Sequence, residues 1–125
     1  MLKLLLAYGL IALGVTALHA ETFPARPLRL VVPYAAGGST DVLARLVGQK
    51  LSETLGQPVV IENRTGAGTL IATEIVAHAA ADGYTLLMAT PPLVVADALY
   101  AKVPFNVARD FTAITNIAAT SNVLV

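Results

Sequence analysis

"LRLVVPYAAGGSTDVLARLVGQKL", Leu28 to Leu51, passes from an apolar run through two glycines directly into a helical pattern, and its reading decides the fold. Leu28 to Val32 is a short run ending in two β-branched residues and stopped by Pro33, which predicts a strand buried on both faces. From Asp41 the apolar residues Val42, Leu43, Leu46, Val47, Leu51 and Leu55 recur at helical spacing until Gly56 and Pro58, which predicts a helix of about four turns with one buried stripe.

Outward from this unit the pattern repeats. "VVIEN", Val59 to Asn63, predicts a second strand, followed by the glycine loop "RTGAGT". Leu70 to Ala80 predicts an alanine-rich helix closed by Asp82-Gly83, and "YTLLMAT", Tyr84 to Thr90, a third strand ended by Pro91-Pro92. Strand, helix, strand, helix, strand at this spacing is the signature of parallel βαβ units, so the fold class is α/β with a mostly parallel sheet. Beyond it, "VVADALYAKVPFNVARDF" predicts a short helix and an irregular stretch, and "TAITNIAAT" and "SNVLV" predict strands. The apolar run to Val125 carries no turn signal, which predicts a piece of a longer protein or a truncated reading frame.

Met1 to Ala20, "MLKLLLAYGLIALGVTALHA", has one lysine, an uncharged run of about 15 residues and small residues near its end. This is the layout of a secretory signal peptide, with an uncleaved anchor as the alternative; a bilayer span needs roughly 20 residues. The expected organisation is therefore a leader over residues 1–20 and a folded unit over 21–125. The whole chain has 8 basic and 8 acidic residues and no cysteine. Nothing in that balance suggests nucleic acid or an anionic membrane surface, which call for a clustered basic face, and the missing thiols exclude disulfide scaffolds and thiolate metal sites. Two histidines, one of them in the leader, supply no cluster for a metal, and no cofactor is expected.

The loop Ala35 to Asp41 is the first candidate site. Gly37 and Gly38 let a ligand approach the backbone, and the helix behind them begins with unpaired amides and the positive end of its dipole. A carboxylate or phosphate suits such a place, with Ser39 and Thr40 as further donors. In the bland alternative Ser39, Thr40 or Asp41 caps the helix. Asp41 weakens direct anion contact by its own charge. The loop is not a P-loop, which ends in Gly-Lys-Ser/Thr, nor does it or Gly66-Ala67-Gly68 complete Gly-x-Gly-x-x-Gly. There is no nucleophile elbow around Ser39, and His78 reads as a helix-surface imidazole. Arg64 beside the glycine loop could assist an anion, and Asn63-Arg64-Thr65 matches a glycosylation sequon.

"RPLRLVVPYAAGGSTDVLARLVGQKLSETLGQPVVIENRTGAG", then "ADGYTLL" and "ALYAKVPFNVARDF", resemble the amino-terminal part of the tripartite tricarboxylate transporter substrate-binding proteins, the Bug receptors of bacteria. The resemblance spans nearly all of Arg26 to Val125. It implies a periplasmic, non-enzymatic receptor with a two-lobed Venus-flytrap fold of periplasmic-binding-protein type II, of which this chain is a partial first lobe. Such receptors capture small organic acids and deliver them to a membrane permease. The resemblance also implies a ligand-binding set of Tyr34, Ala35, Ala36, Gly37, Gly38, Ser39 and Asp41 from the first loop, Gly66, Ala67 and Gly68 from the second, and Thr90 and Pro91 from the third. The sequence departs from the family at Thr65, usually proline, at Thr69 and Ala72, usually glycine, and at Leu70, usually polar. "PPLVVADALY" is apolar where the family is polar, and Asn106 and Val107 replace an aspartate and a proline. Two rival readings stand beside this one: an exported α/β enzyme or regulatory domain using the same loop, and a non-functional remnant.

Overall fold

A computed structural model describes residues 22–119. The expected leader and the expected strand "SNVLV" lie outside the described residues. Strand β1 (Leu28–Val32) leads to helix α1 (Ser39–Leu55), strand β2 (Val59–Asn63), a single 3-10 turn (Ala67–Thr69) and helix α2 (Leu70–Ala77). Strand β3 (Thr85–Leu87), helix α3 (Pro92–Leu99) and the one-turn helix α4 (Val107–Asp110) follow.

The three strands form one parallel sheet in the order β2-β1-β3. Leu30 lies between Ile61 and Leu86 in the registers of the two ladders. The central strand is the most apolar, with Leu28, Leu30, Val31 and Val32 all buried, because its two faces both pack on helices. Leu30, Val32 and Met88 gather with Ala44 of α1, and Leu43, Val59, Ile61 and Leu86 pack around them. Leu87 points the other way, to Leu93, Ala96 and Phe105, with Leu70 and Ala77 of α2 alongside. Consecutive side chains of a strand point to opposite faces, so α1 covers one face and α2 with α3 the other. Right-handed crossovers demand this: the chain moves outward from β1 to β2 and then back across β1 to β3.

Several expectations shift. Helix α1 begins two residues before Asp41, and its buried residues are Asp41, Ala44 and Gly48. Val42 and Leu46, expected in the buried stripe, are more than half exposed. The cause is close approach: a side chain at Gly48 would come within 2.9 Å of Ile61 Cδ1, so small residues, not the large ones, face the sheet. Helix α2 stops at Ala77, three residues early, where Ala79 N–H bonds the Val76 carbonyl and tightens the last turn. Strand β3 is shorter than Tyr84 to Thr90 because the Ala89 amide turns back to the Leu87 carbonyl. The expected strand "TAITNIAAT" has no regular structure over residues 112–119, and Ile114 is exposed. A strand exists through its partner's hydrogen bonds, and no described residue pairs with it.

Candidate functional site

In the order β2-β1-β3 the chain leaves β1 toward one edge and returns on its other side, so a crevice opens beyond the carboxyl ends of β1 and β3. Such a switch point is where open α/β sheets bind ligands. All three loops after the strands converge there. Pro33, Tyr34 and Ala35 from the first, Thr65, Gly66, Gly68 and Thr69 from the second, and Pro92 behind the third line an open depression of about 270 Å³. Tyr34 and Thr90 share a hydrogen bond of 3.3 Å between their hydroxyls, which ties the first loop to the third across the crevice.

The first loop turns at Gly37, whose φ of +87° is open to glycine at little cost. Gly38 is the N-cap of α1 and no side chain caps the helix, contrary to the bland reading of Ser39, Thr40 and Asp41. The leading amides of α1 therefore lack both an intrahelical partner and a side-chain partner. Ala35 to Ser39 are exposed around this helix start.

Asp41 does something else. It is buried, and its Oδ2 accepts from the Gly37 amide and from Arg45 Nε, each at 2.9 Å. Its Oδ1 accepts from Asn63 Nδ2 at 2.9 Å, and the same amide group donates to the Tyr34 carbonyl. Hydrogen bonds from Arg45, then from the Gly37 amide and Asn63, hold its carboxyl down at about 2. Asp41 is thus ionised and turned inward, and its ion pair with Arg45 offsets the charge it brings to the helix start. Asn63 and Arg45 were not candidates from sequence. A polar residue ending an otherwise mostly apolar strand is the one signal that could have found Asn63.

The second loop runs Gly66, Ala67, Gly68, Thr69 with φ of +127°, +46°, +59° and +85°. Arg64 is paired with Glu62, as is Arg29, so neither arginine is directed at the depression. No group of three or more metal-ligating side chains occurs among the described residues. His78 is exposed and its ring meets the Glu74 carbonyl at the end of α2, a surface position as expected. Of the expected site residues, Tyr34, Ala35, Gly66 and Gly68 line the depression, and Thr90 is bonded to Tyr34. Ala36, Gly37, Gly38 and Ser39 lie on the exposed loop beside it, while Ala67 and Pro91 sit next to lining residues.

The model of the tripartite tricarboxylate transporter family receptor matches residues 43–125. The chain belongs to this receptor family. It is 44% identical over 115 residues to protein BugT of Bordetella pertussis, a match covering 90% of this chain and 35% of that one. It is 49% identical over 108 residues to a UPF0065 protein of Bordetella bronchiseptica, covering 86% of this chain and 32% of the relative. The chain thus spans about a third of the length of the curated relatives it matches. Among solved structures, Rpa4515 of R. palustris with adipate is 44% identical with a TM-score of 0.64, over 67% of this chain and 28% of that one. MatC from Rhodopseudomonas palustris with bound malate is 54% identical with a TM-score of 0.51, over 52% and 22%. The receptor family accounts for the α/β unit seen here, which is part of a periplasmic-binding-protein fold.

Proposed function

We propose that this chain supplies one wall of a periplasmic receptor that captures a small carboxylic acid and passes it to the permease of a tripartite tricarboxylate transporter. The carrying observation is the convergence of three strand-end loops on one crevice at a sheet switch point, with the first of those loops running directly into an uncapped helix start. Exposed amides at a helix start with neutral hydroxyls nearby suit a carboxylate. The relatives with adipate and malate support an acid as ligand. In this reading the ligand carboxylate rests on the backbone of Ala35 to Ser39, with Tyr34, Thr90 and Pro91 on one side and Gly66 to Gly68 on the other. Asp41 holds that loop in shape. A second lobe closing over the acid would add contacts and exclude water, so this wall alone binds weakly. The chain's own residues perform binding and no bond-making step.

Titration of the ¹⁵N-labelled full chain with adipate, malate and other di- and tricarboxylates, followed by NMR, tests the proposal. The expected result is movement of the amide signals of Gly37, Gly38, Ser39, Gly66 and Gly68 at millimolar acid. Gly38→Val should suppress those movements without unfolding the chain, since Gly38 has ordinary φ and its nearest obstacle is the Ala35 carbonyl at 3.5 Å. Unmoved signals with every acid would sink the proposal.

A further inference from the structure

The structure assigns Thr69 as a ligand-contacting residue of this wall, its hydroxyl donating to a carboxylate oxygen of the bound acid. The inference rests on the carboxylate reading of the crevice and names a residue that the sequence did not single out as a ligand contact.

Thr69 lines the depression although the residue is almost wholly buried. Its hydroxyl has no hydrogen-bond partner among the described residues, whereas its backbone carbonyl accepts from the Thr73 hydroxyl at 3.0 Å. Among the described residues no fully buried side-chain polar atom lacks a partner, so the Thr69 hydroxyl is not sealed from solvent, and the depression is the open space that the residue lines. A hydroxyl with an open bond can take a carboxylate oxygen as its acceptor.

The backbone gives the second observation. At φ +85° Thr69 adopts a left-handed conformation that a β-branched residue meets only under constraint, and glycine would meet freely. The constraint is present on both sides. The Thr69 amide bonds the Gly66 carbonyl at 3.1 Å, and the Tyr100 hydroxyl lies so close against Gly68 that no Cβ fits there. Backbone held in so unfavourable a region gathers at ligand sites, where the surrounding structure over-determines it. A residue held this way at the crevice wall presents its hydroxyl to the acid without further ordering of the backbone, which lowers the cost of binding. With Arg45 committed to Asp41 and Arg64 to Glu62, neutral donors of this kind are what the wall offers an acid.

The test uses the full chain, adipate and malate as probes, NMR titration for affinity and thermal unfolding for stability. Thr69→Val keeps the shape and removes the hydroxyl; it should weaken binding of the better probe about tenfold or more. Thr69→Ser should restore wild-type affinity within about threefold, as a role in shape alone would not allow. Thr69→Gly relaxes the backbone and should keep the melting temperature while losing affinity as Thr69→Val does. Undiminished affinity in Thr69→Val and Thr69→Gly would overturn the assignment alone. Failure of the wild-type chain to bind any acid would overturn the carboxylate reading and this inference with it.

Discussion

Asn63 carries more of the site's shape than its place at the end of a strand suggests. One side-chain amide serves two acceptors, Asp41 Oδ1 and the Tyr34 carbonyl, at 2.9 Å each. The two lie on the helix start and on the first loop, so one residue of β2 holds both halves of the candidate carboxylate cradle. Replacing it by leucine removes both donors and leaves an ionised, buried Asp41 with two of its three partners. Asn63→Leu should therefore destabilise by about 1–3 kcal/mol in chemical denaturation. A loss below a few tenths of a kcal/mol would show that water replaces the amide without cost. The sequence marks Asn63 only as a polar residue ending a strand, because its two partners sit 22 and 29 positions away.

Among the elements, α1 shows how packing overrides hydrophobicity. Gly48 and Ala44 bring the helix axis close to β1 and β2, and Val42 and Leu46 are left outside. Gly48→Ala gains about 1 kcal/mol of helix propensity and meets the Ile61 Cδ1 methyl, a flexible end that can move aside. Gly48→Val adds bulk against both Ile61 and Val59 and should cost about 1–3 kcal/mol. Paired urea melts of the two variants would reveal it; equal midpoints would mean that the helix shifts away from the sheet without loss. The end of α1 behaves as the sequence indicates, with Gly56 at φ +69° and its amide bonded to the Ser52 carbonyl.

At the scale of the whole molecule, three carboxyls among the described residues link stability to pH. Asp41 is held at about 2 chiefly by Arg45, Asp110 at about 2 chiefly by Arg109, and Glu62 is lowered chiefly by Arg29 and then Arg64. Each is depressed relative to the unfolded chain, so each contributes stability that is fully present above its unfolded value, near pH 4, and lost as pH falls toward the folded one. The melting temperature should be flat from neutral pH to about pH 5 and should fall between about pH 4 and pH 2. Asp41→Asn should remove part of that acid-dependent fall; a profile identical to wild type would detach Asp41 from it.

Residues within a few positions of one another settle much of this protein. The runs Leu28–Val32 and Val59–Asn63, the helix between them and the glycine turn at Gly37 follow from local periodicity and backbone freedom. The motifs around them also pointed to the receptor family. What only the tertiary structure decided is the strand order, the face that α1 buries, the inward turn of Asp41 and the meeting of three loops at one crevice. Tyr34 and Thr90 touch across 56 positions of sequence. Such contacts depend on how sheet and helices pack over the whole unit, whereas local propensity reaches only one or two turns along the chain.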